Sequence, residues 1–281
     1  MLNQDQHSQG KSATAETLSC PMCGAINAAG SRKCRNCGEI IAVGDMPKKW
    51  PFGCATVLLV LGTGVVLIAM LLPPVHRGRE AARRSQCKNN LKQIGLALHQ
   101  YEVEYHALPP AYTVDADGKP LHSWRTLILP YLDQLPLYNR IDLSKPWDDP
   151  ANSEAFNTSV TVFDCPSDRY PKRHTTYLAV VAANGCFRPT EPRLLSEVTD
   201  GLTETLMVIE TPSDRSVPWM SPQDADESLV MSIGSGSKLA HVGGIHAALC
   251  DGTVRFLNAE LPADVRRALI SIAGGDKVGD F

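Results

Sequence analysis

The chain has almost no excess charge of either sign: 27 Lys and Arg stand against 30 Asp and Glu, a formal net charge of −3. A body this close to neutral sets up no global attraction to a polyanion, so no nucleic-acid partner is expected. Catalytic signatures are missing as well, since neither Gly-x-Ser-x-Gly nor His-Glu-x-x-His occurs. There is no internal repeat and no long low-complexity tract. Aromatic residues and apolar periodicity are absent from residues 1–19, MLNQDQHSQGKSATAETLS. That stretch buries too little apolar surface to offset the entropy of ordering, and it reads as a disordered tail. It has no basic run leading into an apolar core, so no signal peptide is expected at this end.

One further absence decides the organisation. Between Lys49 and His76 there is no charged residue, and WPFGCATVLLVLGTGVVLIAMLLPPV is apolar almost throughout. A helix of about 20 such residues crosses the roughly 30 Å of bilayer hydrocarbon, so residues 51–75 are expected to span a membrane, with Trp50 at the interface. Gly62 and Gly64 are tolerated in lipid, where they permit close helix approach.

The nine cysteines sort by position around this run: Cys20, Cys23, Cys34 and Cys37 before it, Cys54 within it, and Cys87, Cys165, Cys186 and Cys250 after it. The first four form two Cys-x-x-Cys pairs, each followed by glycine, in CPMCGAINAAGSRKCRNCGE. Two symmetric knuckles are specific for a closed tetrahedral Zn2+ site, which leaves no open position for catalysis. Residues 20–40 are therefore a zinc ribbon stabilised by its metal and suited to docking a protein partner, with 41–50 as linker. The four later cysteines admit three pairings or none. Cys87 falls on a helix stripe and Cys165 follows an expected strand, so a bond between them would pin sheet to helix.

After Pro73-Pro74, the positions Cys87, Leu91, Ile94, Leu98, Tyr101 and Tyr105 recur at steps of four and three, the mark of an amphipathic helix with one buried stripe. Leu108-Pro109-Pro110 ends it. Beyond Ala111 short segments alternate with turn residues. A helical stretch is expected at Trp124–Tyr131 and strands at Val160–Phe163, Thr176–Val181, Leu206–Ile209 and Leu229–Ile233. In IHAALCDGTVRFL, Asp251-Gly252 separates two strand-like runs as a two-residue hairpin turn would. Pro262–Ala273 reads as a terminal helix.

LLPPVHRGREAARRSQCKNNLKQIGLALHQYEVEYHALPPAY, SWRTLILPYLDQLPLY, VFDCPSD, EVTDGLTETLMVIE and HVGGIHAALCDGTVRFL follow one another in order. Together they resemble the signatures of the domain of unknown function 1559, a planctomycete family similar to type IV pilins and type II secretion pseudopilins that ends in a His-x9-Asp-Gly motif. The resemblance covers Phe52 to the C-terminus. It implies an α+β fold in which a long N-terminal helix, membrane-embedded in its first half, packs through its second half on an antiparallel sheet. It also implies an N-terminus in the cytoplasm and residues 76–281 outside it, anchored in the inner membrane. The arginines Arg77, Arg79, Arg83 and Arg84 oppose that orientation under the positive-inside rule, whereas a thiol-rich ribbon favours the reducing side. Pilins begin the apolar segment with Gly-Phe-Thr-Leu-x-Glu, the processing and assembly signal. Here Pro51 and Thr56 replace the glycine and the glutamate, so an uncleaved anchor is expected rather than a filament subunit.

The expected role is that of a non-enzymatic, membrane-anchored protein for envelope assembly, scaffolding or recognition. A secretion- or signalling-associated receptor is the alternative, and a hydrolase using the His241 and Asp251 region is a more distant one. Asp251 and Asp200 read as turn caps, and His241 with His246 as loop-fixing hydrogen-bonders. Asp200, Asp251 and His241 are the remaining binding candidates, the two carboxylates for Ca2+ by analogy with pseudopilins.

Overall fold

The computed structural model describes residues 17–41, 53–167, 170–275 and 278–279, and within the long helix its side chains are described at 56–68 and from 78 onward. Most of the tail, the linker 42–50 and the residues Pro51 and Phe52 at the expected processing site lie outside the described residues. The chain divides into two compact units, Met1–Leu71 and Leu72–Phe281.

In the first unit, strands β1 (Thr17–Ser19) and β2 (Ile26–Ala28) pair antiparallel, with Thr17 opposite Ala28. The expected tail is thus shorter than read: Thr17, Leu18 and Ser19 gain backbone partners across the first cysteine knuckle. Helix α1 (Cys54–Tyr105) follows. Over its first half the large apolar side chains from Val57 to Ile68 are exposed, and Leu58, Leu59 and Val65 are about two-thirds exposed, at 69%, 68% and 66%. Among the described residues no helix is long and apolar enough to cross a membrane.

In the second unit the later half of α1 shows the expected stripe. Cys87, Leu91, Ile94 and Leu98 are fully buried. His106, at φ 60°, leaves the helical region and ends α1 two residues ahead of Leu108-Pro109-Pro110. The hairpin β3 (Tyr112–Val114) and β4 (Pro120–Ser123) leads into the one-turn helices α2 (Trp124–Leu127), α3 (Leu135–Tyr138) and α4 (Ser153–Phe156). A two-residue pair, β5 (His174–Thr175) and β8 (Val217–Pro218), lies apart from the main sheet.

That sheet comprises β6 (Tyr177–Ala179), β7 (Leu206–Glu210), β9 (Gly244–Leu249) and β10 (Val254–Asn258), all antiparallel in the order β10-β9-β7-β6. Its two faces feed two cores. Tyr177, Ala179, Met207, Ala248, Cys250 and Val254 pack with the α1 stripe. Leu178, Val180, Ile209, Ile245, Ala247 and Leu249 pack with helices α5 (Glu227–Ser232) and α6 (Ala263–Ile270). The molecule is therefore layered helix, sheet, helices, with burial on both sheet faces. A register shift between Leu206 and Val208 breaks the alternation, so Met207 and Val208 both serve the α1 core.

Two strand expectations are corrected. Val160–Phe163 forms a 3-10 turn over Thr161–Phe163, and Leu229–Ile233 lies largely in α5, where the Asp226 carboxylate accepts the Leu229 N–H at 2.7 Å as a helix N-cap. The 251–252 hairpin is present, but its loop is longer than two residues. Gly252 N–H donates to the Leu249 carbonyl and Leu249 N–H to the Thr253 carbonyl, with Gly252 alone in the left-handed region at φ 80°. Gly244 in β9 admits no side chain, because an added Cβ would sit 2.0 Å from the Leu257 carbonyl oxygen.

Candidate metal centre and buried cysteine cluster

The two Cys-x-x-Cys knuckles fold alike because their glycines let the chain turn back on itself. Gly24 and Gly38, at φ 69° and 78°, each donate to the carbonyl of the first cysteine of their pair, at 2.9 Å. Cys20 and Cys34 in turn donate to the carbonyls of Ala25 and Glu39. This brings four sulfurs together: Cys20 and Cys37 lie 3.6 Å apart, Cys23 and Cys34 likewise, and all four fall within 4.8 Å of one another. A tetrahedron with 2.3 Å metal–sulfur bonds has edges of about 3.8 Å, so the set could hold such an ion with little adjustment. N–H groups already converge on the sulfurs, from the Asn36 backbone at 3.4 Å and the Asn27 side chain at 3.6 Å, both to Cys34. The backbone amides of Cys37 and Asn36 hold the Cys34 thiol down to about 6, which favours the thiolate a metal requires.

A second group was not visible in the sequence. Cys87 on α1, Cys165 after the 3-10 turn, Glu210 at the end of β7 and His241 ahead of β9 are all buried, their ligand-type atoms within 4.8 Å of one another. The Cys87 and Cys165 sulfurs are 2.6 Å apart. His241 lies between two carboxylates, with Nδ1 3.4 Å from Glu80 and Nε2 3.4 Å from Glu210. Glu210 also faces the N–H and Nδ1 of His246, at 3.3 and 3.4 Å. The two imidazoles meet edge to face, 4.8 Å between centroids. Burial by itself would raise the Glu210 carboxyl, but hydrogen bonds from His241 and His246 outweigh it and hold the group down to about 2. His241 moves the opposite way: burial opposes its charge, and the hydrogen bonds to Cys87 and Glu210 prevail and raise it. The Tyr177 hydroxyl and Glu210 Oε1 are buried without hydrogen-bond partners.

A second cysteine pair lies in the same core, with Cys186 and Cys250 sulfurs 2.8 Å apart. Arg125 is fully buried yet fully engaged: it donates to the carbonyls of Trp219, Tyr177, Ser221 and Gln223 and, at 2.7 Å, to Asp224. Asp224 also accepts from the Trp124 indole and the Ala179 backbone.

The other sequence candidates have local partners. Asp251 accepts the backbone and side chain of Thr253, capping its own turn. Asp200 caps a different segment from the one expected: it accepts the N–H groups of Gly274 and Gly275 and the Ser271 hydroxyl, clamping the end of α6. Among the described residues neither carboxylate joins a group of three or more His, Cys, Asp or Glu side chains. His241 is not paired with Asp251 but with Glu80 and Glu210. Glu210, Glu80 and Arg125 escaped the sequence reading. The available signal was the charge itself, an acid closing the apolar strand LMVIE and an arginine inside the apolar stretch SWRTLIL.

Comparison with curated proteins and with solved structures gives no match. The family model described as a protein of unknown function, DUF1559, matches residues 76–238, which contain Cys87, Arg125, Cys165 and Glu210. That segment is more than half of the chain, and the chain belongs to the DUF1559 family.

Proposed function

We propose that this chain is a non-enzymatic, single-pass membrane protein in which α1 is a pilin-like spine, bilayer-embedded in its first half. The helix carries an extracytoplasmic domain at one end, and a zinc ribbon in the cytoplasm precedes it. One observation carries the reading. Helix α1 has two kinds of surface: from Val57 to Ile68 its apolar side chains are 49–69% exposed, whereas from Cys87 to Leu98 a single stripe is buried. A helix that is apolar on all sides and uncovered by protein is costly in water and suited to lipid. From Cys54 to Val75, α1 rises about 33 Å at 1.5 Å per residue, the thickness of the hydrocarbon layer.

The domain accounts for part of the basic flank that opposes this orientation. Arg84 stacks on the Phe256 ring at 4.3 Å, and Arg83 pairs with Glu80. Arg84 is thereby engaged with the fold, which weakens the objection to a cytoplasmic N-terminus. Pro51 and Thr56 keep the anchor unprocessed, so the ribbon stays attached. The four ribbon sulfurs suit a structural Zn2+, and a small, metal-stabilised module of this kind presents a surface to a protein partner.

The test is topology. With tags at both termini, the full-length chain should stay in the carbonate-washed membrane fraction. External protease should remove the C-terminal tag from intact cells and spare the N-terminal one until the cells are opened. Recovery of the intact chain in the soluble fraction without detergent would overturn the anchor, and loss of the N-terminal tag just before Phe52 would overturn the unprocessed state.

A further inference from the structure

We propose that Cys87 with Cys165, and Cys186 with Cys250, are disulfides, while the ribbon cysteines remain thiolates, so that one chain carries two cysteine chemistries belonging to two redox compartments. The compartments rest on the topology proposed above. The pairing rests on geometry alone.

The ribbon offers a comparison within the same chain. Its pairs Cys20–Cys37 and Cys23–Cys34 stand 3.6 Å apart, close to the edge a tetrahedral thiolate site would have. The sulfurs of the two later pairs stand 2.6 and 2.8 Å apart, about 1 Å closer and inside non-bonded contact. All four of these cysteines are buried in one apolar core, whereas Cys23 and Cys37 of the ribbon are exposed. The partners are 78 and 64 residues apart in sequence, so they meet through the fold and not through local chain geometry.

The competing chemistry is a second metal site at Cys87, Cys165, Glu210 and His241, whose ligand-type atoms are within 4.8 Å of one another. One feature speaks against it. Two thiolates on one ion would have to separate by about 1 Å from their present positions.

Each bond forms as a dithiol gives up two protons and two electrons. The electrons reduce the exchangeable disulfide of a thiol–disulfide oxidoreductase, by way of a mixed disulfide that the second thiol resolves. Because the sulfurs end up buried, closure precedes final packing, and the native fold then shields both bonds from reductant.

The experiment uses the full-length chain from intact cells, quenched in acid, denatured with N-ethylmaleimide present and no reductant, then digested for mass analysis. A parallel native sample is assayed for zinc. The expected result is peptide pairs joined through Cys87–Cys165 and Cys186–Cys250, maleimide on Cys20, Cys23, Cys34 and Cys37, and one zinc per chain. Maleimide on Cys87 and Cys165, or a second zinc that Cys87→Ser removes, would overturn the proposal, as would a different pairing. Joined peptides in a chain whose C-terminal domain resists external protease would uphold the pairing and sink the topology. Free thiols in a chain cut from outside would sink the pairing alone.

Discussion

At the residue scale, the buried histidine–glutamate cluster ties stability to pH on the acid side. Glu210 is held down to about 2, so its contribution is complete above the ordinary carboxylate value near 4.5 and is lost as pH falls towards 2. Urea denaturation of the 76–281 domain should therefore become easier over that range, with a loss of about 3 kcal/mol from Glu210. Glu210→Gln should flatten this limb; a variant curve parallel to the wild type would show that the cluster is not the titrating element. The cluster was illegible in the sequence because its members come from four separated segments, and nothing in MVIE says that the acid turns inward. His241 was singled out together with His246, and the two rings do meet, but the acids they face, Glu80 and Glu210, lie far away in sequence.

At the scale of elements, α2 is only one turn long, and its place depends less on its own hydrogen bonds than on Arg125. Its guanidinium joins α2 to β6 and to the segment from Trp219 to Asp224 with every donor direction used. Removing one member of a buried pair strands the other, at a cost of about 3–5 kcal/mol. Arg125→Met should lower stability by that amount in urea titration, and adding Asp224→Asn should recover part of the loss; no recovery would mean that the carbonyl contacts, not the ion pair, carry the energy. The elements that were legible were those with a period. The α1 stripe repeats every three or four residues, and the hairpin β9–β10 is flagged by Asp-Gly. The misread ones, 160–163 and 229–233, are short apolar runs in which helix and strand look alike, and there the Asp226 cap was the deciding signal.

For the whole molecule, the division into Met1–Leu71 and Leu72–Phe281 implies two separable stabilities. The ribbon has little apolar core and depends on its four sulfurs, whereas the second unit has two cores, one on each face of its sheet. A strong chelator should make residues 17–41 protease-sensitive and leave the thermal transition of the 76–281 domain unchanged, read by limited proteolysis and calorimetry on one sample. A shift of that transition on chelation would place a stabilising metal in the second unit. The grouping of Cys20, Cys23, Cys34 and Cys37 was legible because cysteine spacing is a one-dimensional property. The convergence of distant segments was not. Cys87, Cys165, Glu210 and His241 each lie in a different one of the five segments quoted above and Arg125 in the remaining one, and all five residues are buried.

The contacts of α1 also define a path for mechanical load. With the anchorage and the disulfide proposed above, tension drawn along the helix would enter the second unit at Glu80, beside His241, and about two turns later at Cys87, joined to Cys165. Both attachments precede Leu91, Ile94 and Leu98, so force would be taken by an ionic latch and a covalent staple before it reached the apolar stripe. A domain fastened in that order would be pulled on without being peeled from its helix.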